Sequence, residues 1–473
     1  MASAGGDLQP ASSWSTWLVD SLQRPITEAD RARAAWHLMD WLACAHLGRT
    51  SEAGHTLARW AACQPAGPIW ACGTAGLQAG DAARLNGSLG SVHELDDVHR
   101  DAVVHPGDTV IPAALAVAQR EGRGADELLD ALVVGYEAGI RLGLLAGTAH
   151  YQHWYSTATT GVFASAMACS RLLRLSPPRW LHAMALAGMQ AGGVWQCRME
   201  PGLAKQVATG HSAQAGLAAA DLAAAGVTGP LAILEGAHGW LRATGSLPPA
   251  DAAQRYLQAV PATPWRIHEV SFKPWPACRH VHPAIGCALQ ARAAGIQPAQ
   301  VLRLELATYA VALSFADQPA PATSHEARFS LQHALAWALC HADFWLDASE
   351  PAALSDPVCA ALRTRVQVDC GATQQARYPQ RFSARLVVHL QGGTTQVFEE
   401  DSAWGDPEHP MPPASLQDKA RRMFASAGLP SDPAQALVTA CLALPGQASL
   451  AHWWSCLRAL GLVAGQAQNT SID

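Results

Sequence analysis

Apolar residues recur at spacings of three and four from residue 27 to about residue 260, with Gly or Pro punctuating the segments. This periodicity predicts a series of amphipathic helices. Thr27 with Asp30 reads as a capping start, and Gly48 as the close of a helix that buries Trp36, Leu38, Met39, Leu42 and Cys44. Further helices are predicted at about 108–120, 125–145, 157–173, 178–191 (opened by Pro177 and Pro178) and 211–225. The run AQAGLAAADLAAAG, residues 213–226, is small enough in its side chains for helix axes to approach closely. After about residue 268 the period changes to two, with Val301, Arg303 and Glu305 alternating against Leu302, Leu304 and Leu306, and Arg363, Arg365 and Gln367 against Thr364, Val366 and Val368. Period two predicts strands. Phe382–Leu390, the Gly392-Gly393 turn and Thr394–Phe398 read as a hairpin, and helices at about 279–293 and 327–341 lie between the strands.

Helical spacing returns from about 415 to 462. The fold class expected is therefore mostly α with a smaller α+β domain: a helical domain over residues 1–268, an α+β lid over 269–404, and a C-terminal return to the helical domain over 405–473. The Pro-rich piece GDPEHPMPP, residues 405–413, reads as a linker. A cleft between the two units is the default ligand site.

Composition narrows the function classes. In 473 residues, 15% charged and 49% hydrophobic, there is no signature of disorder or of a collagen-like chain. A net charge of -6 argues against nucleic acid and against an anionic membrane surface. The longest apolar runs are interrupted by Asp, Gly or Thr, so no transmembrane helix is expected. The first residues, MASAGGDLQPASSW, have neither a basic region nor an apolar stretch, so no signal peptide and a cytoplasmic location are expected. Twelve cysteines are spread singly with no C-x-x-C pair, which favours reduced thiols and no metal site.

Of 32 basic residues only three are Lys, at 205, 273 and 419, and the other 29 are Arg. Where a generic positive charge has drifted to Arg, a remaining Lys marks a place for a compact amine or is a chance survivor. Four polar clusters stand in apolar surroundings. VHELDDVHRDAVVHPG gathers His93, Glu94, Asp96, Asp97, His99 and His105, a set able to exchange protons, to ligate a metal, or to form a hydrogen-bonded turn. HWYSTATTG places His153, Tyr155, Ser156 and Thr157 before an apolar helix, where hydroxyls cap and free amides can hold an anion. LAKQVATGHSAQAG carries Lys205 alone in a chargeless stretch, and SFKPWPACRHVHPAIG carries Lys273, Cys278, His280 and His282 at the expected domain junction. No G-x-G-x-x-G, P-loop or G-x-S-x-G is present.

At these four segments the chain resembles the MmgE/PrpD family, whose members include dehydratases, decarboxylases and epimerases of small acids. The resemblance spans the helix near residue 30 to about residue 400. It implies a large helical domain with a smaller α+β lid, a homodimer, and action on small di- and tricarboxylates without metal or organic cofactor. The family's Asp-Asp pair before His-Pro falls on Asp96, Asp97 and His105, with an acid at Glu94. Its lysine motif falls on Lys205, and its Lys-Pro-aromatic-Pro-x-Cys-x-x-x-His motif on Lys273, Trp275, Cys278 and His282. The chain departs from the family where Ser91, Tyr155 and Ala208 stand in place of histidine, where Trp275 replaces the common Tyr, and at His333 in the lid helix.

The resemblance implies a cofactor-independent lyase, first of all a dehydratase, that abstracts a proton next to a carboxylate. An epimerase or isomerase of a small dicarboxylate, or a homologue that binds without turnover, are the alternatives. His105 is the expected base, oriented by Asp96 or Asp97, and Tyr155 the expected acid. Lys273 joins the catalytic set, while Glu94, Lys205, Cys278, His282 and His153 are expected to bind substrate, with Arg198 or Arg279 assisting. Lys205 and Lys273 should face each other across the cleft. Lys419, in a helix rich in Gln, Asp and Arg, should be an ordinary surface charge.

Overall fold

A computed structural model of the chain describes residues 13–200, 202–258 and 263–459. Residues 1–12 of the expected leaderless N-terminus and residues 460–462 of the last predicted helix lie outside the described residues. The first long helix, α1 (Glu28–Arg49), opens with the capping box the sequence predicts: Thr27 N donates to Asp30 Oδ2 at 2.8 Å and Asp30 N donates to Thr27 Oγ1 at 3.3 Å. Gly48 does not close this helix. It lies inside it, where a Cβ would come within 2.2 Å of the Leu89 carbonyl oxygen, so it permits close packing on the next helix.

That neighbour is α2 (Ala79–Leu89), followed by α3 (Gly107–Arg120), α4 (Ala125–Tyr151), α5 (Ser156–Leu172), α6 (Pro177–Gly188) and α7 (Ala204–Ala224). The last starts seven residues before the predicted 211 and takes Lys205 into its first turn. Its Ala-rich stretch buries Ala213, Ala215, Ala219, Ala220 and Ala223 against α2 and α5, as small side chains allow. The described residues of this unit share one apolar core, which runs from Leu18 to Phe272, takes in Trp345, and resumes at Met411 to Leu457. Here α13 (Pro413–Ser426) and α14 (Ser431–Leu442) return to pack on α1.

A second core extends from Trp275 to Val388. It holds α8 (His282–Ala293), α11 (Leu331–His341) and one face of a four-stranded sheet built from β1 (Val301–Thr308), β2 (Val366–Cys370), β3 (Ala384–Leu390) and β4 (Thr395–Glu400). The order is β2-β1-β3-β4, with β1 and β2 parallel and the other pairs antiparallel. Leu304 pairs with Val388 and Leu306 with Leu386 on the buried face. A register shift between Val301 and Arg303 turns Val301 inward and leaves Leu302 62% exposed, which strict alternation from the sequence misassigns.

Three other expectations change. The stretch 363–368 is not one strand: Asp356 caps and Pro357 opens a helix, α12 (Pro357–Arg363), so the strand begins only at Val366. The helix predicted at 327–341 is two, α10 (Ser324–Arg328) and α11, because Ser330 accepts the His333 N–H and starts a new cap. The segment 405–413 is more than a linker. Asp406 is fully buried, accepts Ser271 Oγ at 2.6 Å and Arg100 at 2.9 Å, and pairs with Arg279. Among the described residues, no helix is long and apolar enough to cross a membrane.

Candidate active site

A cavity of about 410 Å³ opens where the two cores meet. The helical side contributes Glu94, His105, Tyr151, Tyr155, Arg198 and Lys205; the other side contributes Lys273, Cys278, Arg279 and His280 together with residues of α9 (Ala310–Ala316) and α10. Two of its lining residues hold backbone angles that L-residues seldom adopt, Glu94 at φ +56° and Val103 at φ +50°. Such angles persist only when the surroundings fix them, and they concentrate at sites where a side chain must be aimed.

Glu94 is aimed at both cavity lysines. One carboxylate oxygen pairs with Lys205 and the other lies 3.4 Å from Lys273 Nζ, which also lies 3.3 Å from Asp96. Lys273 is fully buried, and Lys205 is part-buried, with 15% of its side chain exposed. Burial is the largest single influence and works against both ammonium groups, but Glu94, Tyr155 and Asp96 together outweigh it for Lys205, and Asp96 with Glu94 for Lys273, so both are raised above the ordinary lysine value. Burial likewise works against the carboxylates, yet the lysines hold Glu94 down to about 2 and, with His105, hold Asp96 well below the usual range. The four groups form a fully ionised cluster at the cavity wall.

His105 completes it. Its Nδ1 lies 3.0 Å from the Asp97 carbonyl oxygen and 2.5 Å from Asp96 Oδ2, so two acceptors keep the proton on Nδ1. The Nε2 edge has no protein partner among the described residues. The backbone N–H of His105 donates to Thr157 Oγ1 at 3.0 Å, which ties the histidine to the first turn of α5. Tyr155 stacks on Trp195 with ring centroids 4.7 Å apart and reaches Thr209 Oγ1 at 3.3 Å. Burial pushes its phenol up, so Tyr155 keeps its proton. Cys278 is also a protonated thiol, pushed up to about 11 by burial and then by Glu94.

The other sequence candidates lie elsewhere. Asp97 turns away from the cavity and accepts His37 Nδ1 and Tyr136 OH, each at 2.7 Å, and the Gly107 N–H at 3.1 Å, so it anchors the turn rather than facing a ligand. His282 is fully buried beside the wall, bonded to Arg279 at 3.0 Å and to the Ala277 carbonyl at 3.1 Å. His153 is exposed and does not line the cavity. Lys205, from the helical side, and Lys273, from the other side, meet on Glu94. Lys419 contradicts the surface expectation. It is buried, 2.7 Å from Asp40, and donates to the Leu95 carbonyl at 2.9 Å, because α13 packs flat on α1 and threads the amine inward.

Sequence reasoning missed Tyr151, which reaches the cavity because Gly147, at φ +66°, breaks α4 and redirects its last turn. The predicted end of that helix near 145 was the available signal. It also missed Phe315, over whose ring the Arg198 guanidinium sits at 3.6 Å while bonding the Ser314 carbonyl at 3.0 Å. Among the cations lining the cavity, Arg198 is the one without a carboxylate partner among the described residues.

Residues 14–252 match the MmgE/PrpD N-terminal domain and residues 275–444 match the MmgE/PrpD C-terminal domain. The chain belongs to the MmgE/PrpD family. Among curated members, the chain is 35% identical to the "Cis-aconitate decarboxylase-like protein oryM" of Aspergillus oryzae over 33% of this chain and 34% of that one. It is 28% identical to the cis-aconitate decarboxylase of Aspergillus terreus over 53% of each chain, and 24% identical to the human cis-aconitate decarboxylase over 84% of each. The matched stretch thus spans about a third of the first relative and about half of the second.

Proposed function

We propose that this MmgE/PrpD protein is a lyase of a small polycarboxylate that needs no cofactor and works by moving a proton at the carbon next to a carboxylate. One observation carries the reading: a histidine with a free Nε2 and two acceptors behind its Nδ1 faces the same cavity as the buried Lys273, the part-buried Lys205 and an uncommitted arginine. His105 takes or returns the proton at Nε2, and Asp96 with the Asp97 carbonyl stabilises the imidazolium that forms. Lys205 and Lys273 oppose the negative charge that develops on the substrate carboxylate, in a site where little water screens them. Arg198 receives a second carboxylate without having to give up an acid of its own.

The bond that breaks is read as carbon–carbon, with loss of carbon dioxide, on the strength of the decarboxylase names carried by the relatives. The apolar wall of Leu313, Phe315, Phe329 and Phe382 suits an uncharged leaving molecule. Elimination of water is the second reading, favoured by a histidine Nε2 that faces the cavity without a protein partner among the described residues, since that reaction begins with a base in reach of the substrate. Incubation with a panel of citrate-, aconitate- and succinate-like acids separates the outcomes. Carbon dioxide released with an unsaturated product supports the first; an unsaturated product with no carbon dioxide supports the second. Deuterium uptake from solvent without change of skeleton would identify an epimerase, and a ligand that raises the melting temperature without turnover would identify a binding protein. Lys273→Met should abolish whichever turnover is found, and full activity in that variant would sink the site.

A further inference from the structure

The C-terminal end of α11 and the first turn of α12 bring together three groups that play no part in the cavity. His341 is the last residue of α11, Asp356 caps α12, and Cys359 is its third residue. One donor atom from each, an imidazole nitrogen, a carboxylate oxygen and a thiol sulfur, all lie within 4.8 Å of one another. Cys359 is fully buried, Asp356 half-buried and His341 exposed, so the cluster runs from the interior to the surface.

The positions are held. Asp356 Oδ1 accepts the Cys359 N–H at 2.7 Å, and the His341 ring stacks on Trp337 with centroids 3.8 Å apart. Cys359 Sγ lies 3.7 Å from His341 Nε2. Zinc–sulfur and zinc–nitrogen bonds of about 2.3 and 2.0 Å, opened to a tetrahedral angle, place the two donors about 3.5 Å apart, so the thiol and the imidazole already stand close to ligand spacing, with the Asp356 oxygen within 4.8 Å of both. A mixed thiolate, imidazole and carboxylate set selects zinc over magnesium or calcium. The sequence hides it, because no short Cys/His spacing announces ligands at 341, 356 and 359.

We propose that His341, Asp356 and Cys359 bind one divalent ion of the zinc class, fastening α11 to α12. As the sulfur–metal bond forms, the Cys359 proton leaves to solvent and no electrons are transferred. Cys340, whose thiol shares a hydrogen bond with Cys359, or a water fills the fourth position.

Cobalt(II) added to the reduced full-length protein tests this. The expected result is a thiolate-to-cobalt charge-transfer band at one ion per chain, displaced by zinc and untouched by magnesium. Cys359→Ser should remove the band, and His341→Ala, at an exposed position and with folding checked by circular dichroism, should weaken binding by about 10-fold or more. Absence of the band, or its persistence at full strength in both variants, would overturn the proposal. So would a Cys340–Cys359 disulfide that forms with peroxide in a protein that gives no band, which would make the pair a redox element instead.

Discussion

Lys419→Met asks the structure to defend its largest departure from the sequence expectation. As a surface charge Lys419 would be worth about 0–1 kcal/mol. In the fold its side chain is 2% exposed and that of Asp40 is 1% exposed, with 2.7 Å between them and a further bond to the Leu95 carbonyl. Removing one partner of such a pair strands the other, at a cost of about 3–5 kcal/mol. The sign of the pH dependence follows from Asp40. Burial pushes its carboxyl up to about 6 while Lys419 pulls it down. An unfolded aspartate titrates near ~3.9, so the folded chain holds this proton more tightly, and the stability it contributes is complete below about pH 4 and lost as pH rises through about 6. Without Lys419 the folded value rises further, so the deficit of the variant should be largest at neutral pH and above, and should shrink toward pH 4. Urea unfolding followed by tryptophan fluorescence at several pH values measures it. The double variant Asp40→Asn/Lys419→Met should lose less than the single one. Because Leu95 belongs to the turn that carries Glu94 and Asp96, turnover should fall as well, although Lys419 does not touch the cavity. A loss under about 1 kcal/mol at pH 7, independent of pH, would refute the reasoning.

Two further outcomes follow from the geometry. His105→Gln should lower kcat by about 10²–10⁴ with little change in KM, since it removes proton transfer and leaves the cations that hold the substrate, a split read from steady-state kinetics. Asp406→Asn should destabilise by about 3–5 kcal/mol in chemical denaturation, because it leaves the buried Arg279 guanidinium without a carboxylate partner among the described residues and Arg100 with Glu408 alone.

The sequence reveals most where local periodicity decides the outcome. Helical spacing locates the helical body, period two locates the sheet, and the Gly392-Gly393 turn closes the hairpin with both φ angles positive. It reveals least where a polar residue is captured by a distant element. The helix around Lys419 carries Gln417, Asp418, Arg421 and Arg422, so its composition describes an exposed helix, and only the packing of α13 on α1 sends that one amine inward. Asp406 sits in a Pro-rich segment with every local mark of a linker, yet it binds residues 135 and 306 positions away. In the acidic turn the residue types were legible but not their division of labour. Asp96 and Asp97 are neighbours in sequence, and their side chains point to opposite sides of the turn, one to Lys273 and one to His37 and Tyr136.

All three lysines converge on that turn, Lys205 and Lys273 on its side chains and Lys419 on its backbone. Their side chains are 15%, 1% and 2% exposed, so arginine supplies the positive charge of the outer surface. Amine-acylating reagents therefore meet no lysine on the outside of the molecule. The one lysine with an opening to solvent, Lys205, faces the cavity, and its ion pair with Glu94 keeps it protonated and slow to acylate, so the folded chain offers such reagents almost no reactive lysine.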